Sequence, residues 1–202
     1  MVEIDVAETI LGALRARRSV GKVKPDPVPR ELVERVIEAA TWAPNHHLTR
    51  PWRFVVVTGR AREELGAAFA ASLRSRLDNP SDERTAVLLE RERAKPLRAP
   101  VLIAVAVVPS SDPKVKEVEE IAAVAAGVQN MLLAAAALGL GAMWRTGDPA
   151  YDPPVKRFLG LPDEAHLLAF VYLGYPDMPP PREHESDAGS YTTWLGWDEP
   201  AS

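Results

Sequence analysis

The chain has 202 residues, a length for one domain, and its 47% hydrophobic and 26% charged content excludes a disordered chain or a low-complexity fibre. Its 24 basic and 28 acidic side chains give a net charge of −4, so no basic field exists to recruit a phosphate backbone, and a nucleic-acid partner is not expected. Cys is absent, which removes disulfide scaffolds, thiol nucleophiles, thiolate zinc sites and iron–sulfur clusters together.

Residues 1–8 carry Glu3, Asp5 and Glu8 and no apolar core of the kind a signal peptide needs. Asp5, followed three residues later by Glu8, reads as an acidic variant of a capping box. Val6, Ile10, Leu11 and Leu14 then form one apolar stripe at helical spacing, and this helix should end near Arg17-Arg18-Ser19. A Pro-rich loop leads to Pro29, which suits the first turn of a second helix because its missing N–H would be unpaired there anyway. Leu32, Val33, Val36, Ile37 and Ala40 supply that helix's buried face, and Ala43-Pro44-Asn45 stops it.

Residues 52–58 read as a strand by their aromatic and β-branched content. Helices are predicted over 61–76 and 83–95, separated by Asp78-Asn79-Pro80. The apolar run 100–108 is consistent with a strand buried on both faces. A long Ala-rich helix follows over about 115–138, then a short strand over 142–146, a short helix over 152–158 and a last strand over 167–173. Residues 121–144 contain no charged side chain and are long enough to cross a bilayer. They are dominated by Ala, carry Gln129 and Asn130 in the middle and lack a basic flank, so they read as a helix buried in a core or subunit interface, with no membrane partner. The tail from Pro179 is Pro-rich and then aromatic, with Tyr191, Trp194 and Trp197. Three large aromatics do not suit a free tail, so residues 179–202 are expected to pack on the domain formed by 1–178 or on a neighbouring subunit. The alternation of helices and strands suggests an α+β or α/β sandwich with a central sheet. No G-x-G-x-x-G follows a strand and no P-loop motif exists.

Three clusters carry candidate chemistry. Arg17-Arg18-Ser19 offers two guanidiniums and a hydroxyl suited to phosphate, or cations that complement a helix C-terminus. Residues 42–52 place Trp42, Asn45, His46, His47 and Trp52 in a loop between a helix and a strand, either a binding loop or a surface loop whose Trp residues pack the core. A metal reading of His46 and His47 is poor because neighbouring side chains usually point apart, and His166 and His184 show no ligand spacing. Trp144, Arg145 and Thr146 end a short strand flanked by Gly139, Gly141 and Gly147, where a backbone can approach a ligand, unless Arg145 only pairs with Asp148. No Ser-His-Asp arrangement or G-x-S-x-G elbow is evident, and no catalytic residue is assigned.

Taken together, these residues resemble the nitroreductase family of FMN-dependent oxidoreductases. The resemblance rests on Arg17-Arg18-Ser19 after a first helix, the helix over 31–40, and an Ala43-Pro44 followed by a polar loop and Arg50-Pro51-Trp52 entering a strand. It continues through Lys95-Pro96-Leu97-Arg98-Ala99-Pro100, Gln129-Asn130, Gly139-Leu140-Gly141 and Leu173-Gly174-Tyr175-Pro176, and so spans nearly the whole chain. The Asn45-His46-His47 loop and the Trp144-Arg145-Thr146 strand look most like the short, minimal YdjA-like members.

That resemblance implies an α+β nitroreductase-like sandwich, with a central, mostly antiparallel sheet flanked by helices. It implies a cytoplasmic homodimer with two FMN sites at the subunit interface. Arg17, Arg18 and Ser19 would hold the phosphate and ribityl side of FMN, Trp144, Arg145 and Thr146 would complete the pocket, and Trp42 and His46 would reach in from the partner subunit. NADH or NADPH would reduce the flavin, which would then reduce a nitroaromatic, a quinone or another electron-poor acceptor by a ping-pong mechanism. Two rivals remain: a non-catalytic FMN-binding or flavin-storage protein, and an unrelated helical interaction protein. The sequence departs from the family at Gly21, where many members carry a basic residue, leaving Lys22 or a backbone N–H as the substitute. It also departs at Asn45-His46-His47, which replaces a Gly-Gly-Asn type loop.

Overall fold

Four antiparallel strands form the central layer of the computed structural model, which describes residues 5–77, 82–179 and 186–197. They are β1 (Trp52–Thr58), β2 (Val101–Val107), β3 (Gly141–Arg145) and β4 (His166–Gly174), in the spatial order β1-β2-β4-β3. The helices are α1 (Val6–Ala16), α2 (Arg30–Thr41), α3 (Ala61–Arg74), α4 (Glu83–Arg93), α5 (Glu117–Ala137) and α6 (Pro153–Phe158). Each expected strand and helix is present within a few residues of its predicted bounds.

Helices cover both faces of the sheet, so β2 is buried along its whole length although its neighbours run antiparallel. Alternation divides its side chains. Val101, Ile103, Val105 and Val107 pack with Val33 and Val36 of α2 and Val124, Val128 and Met131 of α5. Leu102, Ala104 and Ala106 pack with Leu65 and Phe69 of α3 and Val155 of α6. The Ala-rich helix α5 thus has the length and composition of a membrane span, but its apolar side chains complete a core. It approaches α2 closely: a Cβ at Gly127 would lie 3.0 Å from the Ala40 carbonyl oxygen, and Asn130 Nδ2 donates to the Ala39 carbonyl at 3.2 Å.

Three local expectations change. Pro29 caps α2 from outside instead of occupying its first turn, with its carbonyl accepting from Leu32 N and Val33 N. Asp5 does cap α1 by accepting from Glu8 N at 3.2 Å, but Glu8 reaches forward to Arg15 at 3.5 Å and does not close the box. The stripe of Val6, Ile10, Leu11 and Leu14 forms as expected on α1, yet all four side chains are exposed and α1 buries none of its residues in this chain.

Candidate functional site

The triplet Arg17-Arg18-Ser19 follows α1 directly, because the helix ends where Arg17 turns to an extended conformation. Arg18 folds back and donates from Nη1 to the carbonyls of Arg15 and Arg17, the latter at 2.8 Å, so one of the two guanidiniums serves the helix C-terminus as the macrodipole favours. The chain then runs beside the sheet. Val20 N donates to the Ala142 carbonyl of β3 at 3.0 Å, and Lys24 N donates to the Tyr175 carbonyl at 2.8 Å. The glycine at 141 makes room for this strand-edge contact instead of for a ligand, since its missing Cβ would collide with Val20. Lys22 pairs with Asp177 at 2.7 Å on the surface, holding that carboxyl below its usual range by the hydrogen bond and then by the charge.

β3 sends its last side chains to opposite faces. Trp144 packs toward the α2/α5 core and donates from Nε1 to the Leu168 carbonyl at 3.2 Å. Arg145 lies over the ring of Tyr172, 5.5 Å from its centroid, on the other face. Arg145 therefore does not pair with Asp148, which instead approaches Arg76 at 3.5 Å. Burial pushes the Tyr172 hydroxyl up to about 12, against the opposing pull of Arg145 and Arg98.

The loop after α2 is wound tightly. Asn45 accepts from Arg50 N at 2.6 Å through its side chain and from Leu48 N at 3.1 Å through its carbonyl. His47, Leu48 and Arg50 take positive φ, between 51° and 59°, which is uncommon for residues other than glycine and concentrates at constrained sites. This conformation overturns the expectation that the two histidines point apart: their ring centroids are 4.0 Å apart, and Glu119 of α5 completes a group whose ligand atoms lie within 4.8 Å of one another. All three side chains are exposed. Of the other histidines, His166 Nε2 meets Glu117 at 2.8 Å, and His184 lies outside the described residues.

In the single chain the candidate residues fall into separate groups. Arg17 and Arg18 line a cavity of about 530 Å³ with Ala13, Leu132 and Leu140. Trp144 and Thr146 line one of about 430 Å³ with Tyr151 and His166. Arg145 and Thr146 line a third of about 250 Å³ with Lys95, Arg98 and Tyr172. Ser19 is exposed beside the first, and Trp42, 79% exposed, and His46 lie outside all three. Arg98, Lys95 and Tyr172 were not among the expected site residues, although Lys95 and Arg98 lie in the segment that carries the resemblance. They come from the turn before β2 and from an apolar strand, and only the sheet brings them to Arg145. A tyrosine within an apolar strand run was the one signal available.

A protein-family comparison finds that the description "Nitroreductase family" fits residues 14–175. The chain is 32% identical over 170 residues to a Bacillus subtilis (strain 168) protein carrying the name NAD(P)H nitroreductase YfhC, covering 83% of this chain and 84% of that one. It is 29% identical over 163 residues to Escherichia coli (strain K12) YdjA, which bears the same type of name, covering 80% and 85%. A nitroreductase-like protein from Bacillus cereus superposes with a TM-score of 0.77 at 26% identity, over 97% of this chain and 98% of that one. A nitroreductase-type structure from Desulfovibrio desulfuricans in complex with FMN superposes with a TM-score of 0.70 at 26% identity, over 94% and 98%. A matched region that runs from the end of α1 through β4, on a fold shared with these structures, makes this chain a member of the nitroreductase family.

Proposed function

We propose that the protein is an FMN-dependent oxidoreductase that takes electrons from NADH or NADPH and delivers them to an electron-poor acceptor such as a nitroaromatic or a quinone, by a ping-pong mechanism. The observation that carries this reading is the donor set. Among the described residues, the guanidiniums of Arg17 and Arg145 pair with no carboxylate, Ser19 and Thr146 add hydroxyls, and Trp144 adds an aromatic wall. Unpaired guanidiniums suit a phosphate, and flat aromatics suit a flavin ring, so the residues fit FMN. When bound, the flavin supplies the two-electron chemistry itself. The chain's part is to fix the phosphate and ribityl side through Arg17, Arg18 and Ser19, to complete the pocket with Trp144, Arg145 and Thr146, and to place donor and acceptor in turn against one surface. In this reading Trp42 and His46 reach into the pocket from the partner subunit, where His46 is the candidate proton donor to the acceptor.

The reading includes a homodimer that shares each flavin site and works in the cytoplasm. The exposed apolar face of α1 supports it, because a lone soluble chain would not leave Val6, Ile10, Leu11 and Leu14 contiguous in water. The described part of the tail supports it as well. Tyr191 is 91% exposed, and Trp194 and Trp197 meet edge to face at 5.2 Å while both stay exposed, which favours a tail that packs on a partner subunit.

Flavin absorbance in the purified protein, followed by rapid mixing with NADPH or NADH, tests the proposal. Bleaching of the flavin and its return on adding a quinone or nitroaromatic are the expected results. Bound flavin that neither nicotinamide bleaches would make the protein a flavin carrier, and a colourless protein that takes up no added FMN would remove the flavin reading altogether.

A further inference from the structure

The loop after α2 brings together three groups that hold lone pairs. His47 takes a φ of 59°, and this turn sets its imidazole edge to face with that of His46, centroids 4.0 Å apart. Asn45 ties the turn down. Its side chain accepts from Arg50 N at 2.6 Å and donates to the His46 carbonyl at 3.2 Å and to Thr49 Oγ1 at 3.4 Å. Glu119 faces the pair from the first turn of α5. One ligand atom from each of the three residues lies within 4.8 Å of the others. Among the described residues, no Lys or Arg pairs with Glu119, and no hydrogen bond engages a ring nitrogen of His46 or His47.

Two imidazoles and a carboxylate make a donor set suited to zinc and its borderline neighbours cobalt, nickel and copper, whereas magnesium and calcium take oxygen ligands. Zinc bonds of about 2.1 Å place tetrahedral ligands about 3.3 Å apart. All three side chains are exposed, so rotation about their own bonds closes the remaining distance while the backbone stays in place. Three protein ligands leave the fourth position to water. The positive end of the α5 dipole opposes a cation there, and Glu117, Glu119 and Glu120 in the first turn offset it.

We propose that His46, His47 and Glu119 form a binding site for a divalent transition ion of the zinc class. The site stands on this chain's own residues. Its effect on turnover rests on the flavin reading: the ion competes with the proton for His46, so bound zinc should inhibit delivery to the acceptor.

Calorimetric titration of the purified full chain with Zn²⁺ tests the site, and one ion per chain is expected. His47→Gly suits the left-handed φ of that position and removes one ligand; Glu119→Gln removes the negative charge. Each should weaken Zn²⁺ about tenfold or more, since even a group that only orients a ligand is worth about that much. His166→Ala deletes the histidine that pairs with Glu117 at 2.8 Å, and it should leave the affinity unchanged. No uptake of Zn²⁺ by the native chain, equal uptake by the native chain and both ligand variants, or loss of uptake in His166→Ala overturns the site. Reoxidation of the reduced flavin by a quinone should slow with Zn²⁺ in the native protein and not in His47→Gly; equal slowing in both overturns the competition at His46. If the native chain takes up Zn²⁺ through these residues but binds no flavin, the flavin reading fails while the metal site stands.

Discussion

Val20 rests directly on Gly141: a Cβ added to that glycine would lie 2.7 Å from Val20 Cγ1 and 2.9 Å from Val20 Cβ. One residue further along β3, the Ala142 carbonyl accepts from Val20 N. The contact therefore fixes where the chain carrying Arg17, Arg18 and Ser19 crosses the free edge of β3, which carries Trp144 and Arg145. Two parts of the candidate site that are far apart in sequence keep their mutual position through one missing methyl group.

Gly141→Ala should accordingly do more than a surface substitution would. Overpacking of this kind costs about 1–3 kcal/mol. The expected outcome is a lower denaturant midpoint with an unchanged slope, and a reduced flavin content at equal protein concentration. Val20→Ala in the same chain should restore part of the loss, because it removes the 2.7 Å contact and keeps the one at 2.9 Å. Full stability in Gly141→Ala alone would show that the edge can shift freely.

Arg17→Ala is expected to lose FMN while the protein stays dimeric, because Arg17 has no carboxylate partner among the described residues and its removal leaves no buried charge behind. A charge-assisted contact of this type is worth about 1.5–3 kcal/mol, so flavin should dissociate about ten- to hundredfold more readily. Arg18→Ala should act differently. Its guanidinium bonds the last carbonyls of α1, so the variant should first show as lost helix stability. Equal flavin content in native and Arg17→Ala protein would remove Arg17 from the pocket.

The periodic part of this architecture was legible in the sequence. The stripe on α2, the apolar run of β2 and the Ala-rich α5 each satisfy one local rule, and each forms where that rule puts it. Residues whose role depends on contacts between distant segments were not legible. Arg98 stood in the 95–100 run that carries the family resemblance, with no role of its own, and only the pairing of β2 with β4 brings it to Tyr172 and Arg145. His46 and His47 were expected to diverge, and the left-handed φ of 59° at His47 turns them together. The stripe on α1 was visible, and among the described residues its four side chains stay exposed.

That stripe makes the dimer testable. Ile10 is 57% exposed in the single chain, so Ile10→Glu should alter monomer stability by no more than about 0.5 kcal/mol. If α1 packs on a second copy, the same change buries a charge at the interface, and sedimentation should show the population shifting toward monomer with loss of flavin. Mixed dimers should add the complementary result. Pairing a Trp42→Ala chain with an Arg17→Ala chain should leave one intact flavin site per dimer if the two residues act across the interface, and none if they act within one chain. A protein that remains fully dimeric as Ile10→Glu would place the interface elsewhere.

Tyr172 supplies a prediction whose sign follows from its burial. Its hydroxyl is raised from 10 to about 12, chiefly because burial disfavours the phenolate. Below pH 10 the group is protonated in folded and unfolded chains alike and the shift has no effect. Between pH 10 and about 12 the unfolded chain releases the proton while the folded chain keeps it, so stability falls through that window by up to about 3 kcal/mol. Tyr172→Phe should flatten this alkaline loss. In a tyrosinate absorbance titration, one of the 4 tyrosines should ionise late. Arg145 and Arg98 both pull that value down, so Arg145→Ala should push the late ionisation still higher. An unchanged titration would mean that the guanidinium and the phenol do not share one space beside β4.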